Sequence, residues 1–181
     1  MRYVTTALLM TVLLAGATGC GPTFAIRVNC GTDKEYTDET GVKWAADQVL
    51  AADAKWGAIG GLTVERAGMT IPLCRRPNVY LTERYSMDGY QFSVENGTYW
   101  VRLHFAETYE PHTKPGMRLF SVKINGETKL KDLDVFKEAG GFAKPLVMEC
   151  SDIVVTDGKL KIEFVANVQN PEINGVEVLR Y

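Results

Sequence analysis

The second half of the chain alternates hydrophobic and polar residues with the two-residue period of a β-strand. Three segments show this alternation clearly, and the apolar residues that share a face in each are Tyr99, Val101, Leu103 and Phe105, then Phe120, Val122 and Ile124, then Leu160, Ile162 and Phe164. The dipeptides Asn96-Gly97, Asn125-Gly126 and Asp157-Gly158 lie next to these segments. Asn, Asp and Gly tolerate the positive φ of tight turns, so we expect hairpins there. The pattern predicts one all-β domain, an antiparallel, jelly-roll-like β-sandwich with long loops at one end.

The first half of the chain is less regular. Residues Cys30 to Gly61 contain few alternating runs and end in two consecutive glycines, so we interpret them as a long ordered loop. The stretch WAADQVLAADAKWG, Trp44 to Gly57, has helical propensity, but its two tryptophans fit an apolar stripe only loosely. We find no internal repeat and no second domain boundary.

The N-terminus has the layout of a secretory signal peptide. Arg2 precedes an apolar run from about Val4 to Ala17, which is too short for a membrane-spanning helix. The ending ATGC also resembles the bacterial lipoprotein signal, in which the chain is cut before a cysteine that carries lipid. We therefore predict a signal peptide over residues 1–19, lipidation at Cys20, a short linker to residue 24 and a domain over 25–181. Such a protein is exported and held by lipid alone at the bacterial membrane, in the periplasm or on the cell surface. Ordinary cleavage near residues 15–17 is the alternative.

Charge and cysteine content narrow the function classes. The net charge is −2, and without a basic stripe we expect no nucleic-acid partner. After Cys20, an odd number of cysteines remains, Cys30, Cys74 and Cys150, which leaves open one disulfide plus a buried thiol, or three buried thiols. No CxxC pair is present, which argues against a structural zinc site. The acidic residues Asp33, Glu35, Asp38 and Glu39 are suitable for calcium but lack EF-hand spacing, and we predict no metal or cofactor.

The segment RLHFAETYEPHTKPG, Arg102 to Gly116, concentrates the groups that could do chemistry. Glu107 and Glu110 are close enough in sequence to form a glycosidase pair, which needs two carboxylates about 5–9.5 Å apart. A carboxylate at the end of a strand more often accepts hydrogen bonds from loop backbone, and no G-x-S-x-G nucleophile motif is present. His104 has the pattern of a structural histidine, whereas His112 is expected to be more exposed. We predict that the protein is not an enzyme.

Two tyrosines suggest a different function. Tyr85 and Tyr109 occupy loop-like positions outside the clearly alternating segments. A tyrosine ring can lie against the C–H face of a sugar while its hydroxyl group hydrogen-bonds, and sugar sites combine such platforms with a few directed polar groups. The alternative is that both rings close the edge of the sheet.

Several segments of the chain, in order, carry a more specific signal: RVNCGTDKEYTDETGVKWAAD, YLTERY, YWVRLHFAETY, FSVKINGE, DLDVF, AGG and PEINGVEVL. From about Ala25 to Tyr181 the chain resembles malectin domains, a family of carbohydrate-binding lectins. The resemblance implies a β-sandwich with a sugar pocket formed by loops at one end, which in the animal lectin binds an α-linked glucose disaccharide. It also implies that Tyr85 and Tyr109 are aromatic ligand contacts.

Three positions depart from the family pattern. Glu110 stands where the animal lectin has a second aromatic residue, and Gln169 stands where it has an acid. The segment Arg66 to Met69 contains no counterpart of a third aromatic residue. These departures put specificity for the glucose disaccharide in doubt.

We therefore expect a non-catalytic carbohydrate-binding domain at the cell envelope that binds glucan-type or related glycans. The expected contacts are a platform of Tyr85 and Tyr109, a polar rim of Gln169 and Asn170, and possible hydroxyl acceptors at Glu107 and Glu110. One alternative is a protein-interaction module with a degenerate sugar site. A less favoured alternative is a glycoside hydrolase that uses Glu107 and Glu110.

Overall fold

The computed structural model describes residues 21–72 and 74–181, so the predictions for the signal peptide and Cys20 lie outside the described residues. The described part contains twelve strands: β1 Phe24–Asn29, β2 Tyr36–Thr37, β3 Lys43–Ala46, β4 Trp56–Glu65, β5 Thr82–Ser93, β6 Gly97–Phe105, β7 Leu119–Ile124, β8 Glu127–Leu133, β9 Leu146–Val155, β10 Lys159–Val168, β11 Glu172–Ile173 and β12 Gly175–Arg180. A 3₁₀ helix spans Pro77–Tyr80 and an α-helix, α1, spans Val135–Ala139. Neither of these two helices is long enough to cross a membrane.

The strands form two sheets. The order in one sheet is β2-β3-β1-β12-β6-β9, and in the other it is β11-β5-β10-β7-β8, with β4 paired along β5. Among these strands the neighbours run antiparallel, except that β1 and β3 are parallel. The prediction of an all-β, largely antiparallel sandwich is confirmed.

The main hydrophobic core contains the residues that the alternation pattern placed on one face. In β6, β7 and β10 these apolar residues are all buried, none more than 7% exposed, and they belong to one continuous cluster. A smaller cluster lies under the loops and includes Trp44, Ile71, Val79 and Tyr80. The loops at this end of the sandwich are therefore packed on a core of their own.

Only one of the three expected hairpins is present. Asn125 and Gly126, with φ of 50° and 82°, close the hairpin between β7 and β8. The segments at Asn96-Gly97 and Asp157-Gly158 instead carry the chain from one sheet to the other. An Asn-Gly or Asp-Gly pair favours a sharp reversal, but burial of the flanking strands decides whether the next strand joins the same sheet.

The interpretation of residues 30–61 as one long loop is wrong. The region contains β2, β3 and the start of the ten-residue strand β4, and no part of Trp44 to Gly57 is helical. β4 continues through Gly60 and Gly61, where the pairing with β5 shifts register. Both glycines have positive φ, and a Cβ on Gly61 would lie 2.8 Å from the Cβ of Met87. The glycines thus mark a bulge within a strand and do not end it.

The loop ends of the two sheets are joined by Asn174, which follows β11. Its Nδ2 donates to the carbonyl oxygen of Thr82 at 2.8 Å, and its Oδ1 accepts from the backbone N–H of Ala106 at 2.6 Å. Asn174 is fully buried, so both bonds form away from water. It fixes the start of β5 relative to the end of β6, the two strands that lead into the candidate site.

Candidate functional site

Four of the sequence-predicted site residues lie around one pocket at the loop end of the sandwich. This first pocket has a volume of about 290 Å³ and is bordered by Tyr85, Tyr109, Gln169 and Asn170. Tyr85 lies on β5, so the expectation of a loop-like position is wrong for it, whereas Tyr109 lies in the β6–β7 loop. Gln169 and Asn170 lie directly after β10. The fold therefore brings together two tyrosines and two side-chain amides from distant parts of the sequence.

The pleat of β5 places Glu83 beside Tyr85 in this pocket. Residues two apart on a strand share a face, and both line the first pocket. Arg84, between them, faces the other way, and its Nε donates to Asp47 at 2.8 Å. The two-residue period could have identified Glu83 from the sequence once Tyr85 was chosen.

Glu107 is a buried anchor, and the expectation that it accepts hydrogen bonds from sugar hydroxyls is wrong. The residue is 1% exposed. Its Oε2 accepts from Arg118 Nε at 2.7 Å and is 3.0 Å from His112 Nδ1, while its Oε1 accepts from the backbone N–H of Tyr109 at 3.1 Å and from Arg118 Nη2 at 3.2 Å. Both carboxylate oxygens are thus occupied by groups of the loop itself.

These contacts position Tyr109. The backbone N–H of His112 donates to the Tyr109 carbonyl oxygen at 2.8 Å and closes a turn, and the two rings meet edge to face with centroids 4.9 Å apart. His112 is 5% exposed, so the expectation of an exposed loop histidine is wrong. Tyr109 remains 45% exposed. The turn therefore holds an open tyrosine ring on a buried histidine and carboxylate.

Arg118 joins two of the segments that form the pocket. Its Nη1 donates to the carbonyl oxygen of Asn170 at 2.6 Å, while Nε and Nη2 bind Glu107. Burial on its own lowers the pKa of Arg118, but the hydrogen bonds to Glu107 and the nearby carboxylates raise it, and the net shift is upward. Arg118 is therefore a fixed positive charge. It directly precedes β7, and nothing in its sequence context indicates this role.

Arg66 forms a wall of the pocket in the segment where the family pattern leads one to expect an aromatic residue. Its Nη2 donates to Glu83 at 2.7 Å and its Nε donates to the Thr108 hydroxyl group at 3.1 Å. The Thr108 hydroxyl group in turn donates to Glu83. The closed set of three hydrogen bonds fixes the Arg66 side chain at the edge of the pocket.

Gln169 adopts a backbone conformation that is unusual for its residue type. Its φ is 60°, in the left-handed region, and it follows a register shift in the pairing of β10 with β7. Such a conformation costs of the order of 1–3 kcal/mol in a residue other than glycine and persists only where the surroundings impose it. Here it accompanies a side chain that borders the first pocket.

Glu110 does not border the first pocket. It is exposed and lines a second depression, which Tyr109 also borders. Because Glu107 is buried and Glu110 faces this different depression, the two carboxylates do not face each other across a shared cavity. The geometry does not favour the glycosidase alternative.

The charges around the first pocket nearly cancel. Arg66 pairs with Glu83 and Arg118 with Glu107, each at 2.7 Å. Glu172 on β11 is fully buried, and neither of its carboxylate oxygens has a hydrogen-bond partner in the described part of the chain. Burial raises the pKa of Glu172 well above its usual value, and Glu83 and Glu107 raise it further against the opposing effect of Arg118 and Arg66. These effects favour the protonated form of Glu172 over the carboxylate.

The other candidate residues have structural roles. His104 is buried, within 2.9 Å of both the Tyr80 hydroxyl group and Glu177, as its pattern suggested. Asp38 is buried and accepts hydrogen bonds from Arg76 at 2.8 Å and Trp44 at 3.3 Å, so it is not an open calcium ligand. Within residues 21–72 and 74–181 no group of three or more metal-ligating side chains occurs.

In the described part of the chain Cys30, Cys74 and Cys150 form no disulfide. Cys30 and Cys150 are buried and Cys74 is half-buried, which is closer to the arrangement of three buried thiols than to that of one disulfide and one thiol. Burial raises the pKa of the Cys30 thiol well above its usual value, and Asp47 raises it further. Cys30 is therefore an inert core residue.

Comparison with known proteins gives consistent matches along the chain. A family model described as Malectin domain matches residues 24–176. Malectin-B of Xenopus laevis is 28% identical over 96% of this chain and 67% of that protein, and Malectin of Homo sapiens is 29% identical over 92% and 60%. Receptor-like protein 4 of Arabidopsis thaliana is 32% identical over 70% of this chain and 22% of its own length. The chain thus spans 22–67% of these relatives.

Solved structures share the fold. A β-glucuronidase of Bacteroides uniformis matches with a TM-score of 0.79 and 25% identity over 87% of this chain, but over only 18% of the glucuronidase. The plant receptor-like kinase FER matches with a TM-score of 0.69 and 23% identity over 84% of this chain and 48% of that chain, which shows the fold alone. Neither solved structure is matched over more than half of its own length.

Proposed function

Because this chain belongs to the malectin domain family, whose model matches residues 24–176, we propose that it is a non-catalytic domain that binds glucan-type or related neutral glycans. The observation that supports this most strongly is the first pocket, in which Tyr85 and Tyr109 stand with Gln169 and Asn170. Tyrosine rings offer apolar surface to the C–H groups of a sugar ring, and side-chain amides both donate to and accept from its hydroxyl groups.

The electrostatics favour a neutral sugar over an acidic one. Arg66 and Arg118 would attract a carboxylate or sulfate if they were free, but each is already paired with a buried glutamate. An anionic ligand would have to compete with these short ion pairs. A neutral glycan needs only the remaining hydrogen-bonding capacity of the pocket.

Titration with glycans tests the proposal. We expect calorimetry or a glycan array to show binding to an α- or β-glucan, and Tyr109→Ala to weaken it at least about tenfold through loss of the ring contact. Tyr181→Ala is the matched control, because Tyr181 is 55% exposed and packs on Trp100 outside the pocket. No binding to any α- or β-glucan or other common polysaccharide would refute the proposal, and full binding by Tyr109→Ala would place the site elsewhere.

The same proposal includes export and attachment by lipid at Cys20 to the bacterial envelope. Its support is the sequence of residues 1–20: Arg2, an apolar run, small residues and then a cysteine. Incorporation of a labelled fatty acid into the protein in cells, and its absence when Cys20 is replaced by Ala, would support the anchor. A Cys20→Ala protein that still incorporates label would contradict it.

A protein-interaction module is the second candidate. The observation in its favour is Glu110, an exposed acid at a position where the resemblance implies stacking surface. A solved relative of the same fold, FER, is found in complex with the plant peptide RALF23 and LLG2. Co-purification of a protein partner that free sugar does not displace would favour this candidate over the lectin.

A further inference from the structure

A second pocket adjoins the first at Tyr109. It has a volume of about 730 Å³, and it shares both Tyr109 and Arg66 with the first pocket. Met69, Pro111 and Phe142 give it apolar surface, and Thr70 and Glu110 give it polar groups. Glu110 thus belongs to a built depression next to the candidate site.

We infer that the two pockets bind one glycan that passes over Tyr109, so that the site recognises an oligosaccharide longer than a disaccharide. This inference rests on the proposed function. The first pocket holds one end of the ligand, and the second pocket binds the following sugar units between Phe142 and Glu110. Tyr109 contacts the ligand from both sides because its atoms line both pockets.

The chemistry of the second pocket fits a sugar. Phe142, Met69 and Pro111 provide a mixed apolar surface of the kind that packs on the C–H face of a pyranose. The carboxylate of Glu110 is exposed and accepts no hydrogen bond from the described residues, so it remains available to hydroxyl groups.

Arg66 offers donors at the boundary between the pockets. Its guanidinium group has five N–H donors, and the described residues accept hydrogen bonds from Nε and Nη2 only. The Nη1 donors therefore remain available where a glycan would cross from one pocket to the other. Since Arg66 is held by Glu83 and Thr108, these donors point in a fixed direction.

One buried residue, Glu107, hydrogen-bonds to segments that line both pockets. The side chain of Glu107 positions Tyr109, and its backbone carbonyl oxygen accepts from the N–H of Ala143 at 2.8 Å. This bond brings Phe142 next to the β6–β7 loop, and Ala143 itself has φ of 53°, a strained value for alanine. A site whose parts are fixed before the ligand arrives loses less entropy on binding.

Calorimetric titration with gluco-oligosaccharides from the disaccharide to the hexasaccharide, in an α-linked and a β-linked series, tests the inference. For the series that binds, we expect the affinity to rise about fivefold from the disaccharide to the tetrasaccharide. Phe142→Ala and Glu110→Ala should each reduce this rise and leave the affinity for the disaccharide unchanged. Longer chains also contain more disaccharide units, but that statistical gain is the same for every variant.

The controls separate the outcomes. Phe142 is half-buried against the small core, so thermal unfolding checks its variant, while Glu110 is exposed and its variant should retain the fold. Val154→Ala, at the opposite end of the sandwich on β9, should keep the full rise with length. A disaccharide that binds as tightly as the hexasaccharide, or a rise that neither variant reduces below that of the wild type, overturns the inference and leaves the proposed function intact. No binding in either series overturns both.

Discussion

Replacing Glu172 by Gln tests the electrostatics beneath the first pocket. The change removes an ionisable group from a fully buried position and keeps nearly the same shape. Neither carboxylate oxygen has a partner in the described residues, so the substitution breaks no hydrogen bond. A pH-dependent difference in the free energy of unfolding between the variant and the wild type therefore reports the ionisation of Glu172 itself.

The sign follows from the direction of the pKa shift. The folded-state pKa of Glu172 is raised well above the usual value of 4.5, first by burial and then by Glu83 and Glu107, with Arg118 and Arg66 opposing. Between the unfolded and the folded pKa, the native protein holds a proton that the unfolded chain has released. The stabilising contribution is complete below the unfolded pKa and is lost as the pH rises towards the folded pKa. Within that window the free energy of unfolding falls by about 1.4 kcal/mol per pH unit.

The Glu172→Gln variant has no carboxyl group at this position, so its free energy of unfolding does not fall in this way as the pH rises. Above about pH 5 and up to the folded pKa of Glu172, the free energy of unfolding of the variant should rise relative to that of the wild type by about 1.4 kcal/mol per pH unit. Each kcal/mol corresponds to about 2–4 °C in melting temperature for a domain of this size. Urea unfolding at half-unit pH intervals from 5 to 8 measures the difference. Glu163→Gln on β10 controls for the change in net charge, because Glu163 is exposed and has no ion-pair partner in the described chain.

Two outcomes would refute the reasoning. If the difference in unfolding free energy between Glu172→Gln and wild type stays constant over this pH range, Glu172 does not titrate with a raised pKa. If the difference instead grows as the pH is lowered below about 4.5, in an extension of the same series, Glu172 is stabilised as a carboxylate. The second result would require a positive group closer to it than Arg118 and Arg66 are in the described structure.

Two further substitutions test the framework around the pocket. Glu107→Gln keeps the side-chain shape but leaves Arg118 without its charged partner, so we expect a loss of about 3–5 kcal/mol in urea unfolding together with loss of glycan binding; a loss below 1 kcal/mol would contradict the anchoring role. Gly31→Ala should destabilise by clearly more than Gly41→Ala, since both glycines have φ near +85° but only at Gly31 would the new Cβ lie 2.2 Å from the Glu83 carbonyl oxygen. Equal melting temperatures for the two alanine variants would show that the backbone yields at Glu83 without cost.

The strands of the second half were predictable because their signal is local. Tyr99, Val101, Leu103 and Phe105 pack inward with the period that the pleat imposes, whichever strand lies beside them. The partners of those strands were not predictable in the same way. Asn125-Gly126 closes a hairpin whereas Asp157-Gly158 crosses between sheets, although the two dipeptides differ little in turn chemistry. The difference arises from which apolar faces the flanking strands bury.

The early strands were missed for a related reason. β2 and β3 have only two and four residues, too few for a period to show. β4 contains three glycines, which remove side chains from the pattern, and one of them, Gly57, lies where a Cβ would come within 2.5 Å of the Leu50 backbone. Glycine here reflects close approach of neighbouring chain segments, and a single sequence gives no separate signal for that.

In the candidate site, sequence reasoning found the residues that face solvent and missed the ones that hold them. Tyr85, Tyr109, Gln169 and Asn170 border one pocket, and their contact with a sugar stays a prediction. The role of Glu107 could not be read from its neighbours, because it depends on Arg118, eleven residues further along the chain. A glutamate at the end of a strand is expected to be exposed when no partner is known. Because Arg118 pairs with it, Glu107 is instead buried and holds the β6–β7 loop in place.

This division of roles has a consequence for specificity. The ion pairs of Arg66 with Glu83 and of Arg118 with Glu107 set the positions of the pocket walls, and replacing either arginine leaves a buried carboxylate without its partner. Glu110, Gln169 and Tyr85 are not part of those pairs. A change of ligand preference at low cost to the fold must therefore come from this second group, and an aromatic residue at position 110 would enlarge the apolar platform in the second pocket without touching the buried pairs.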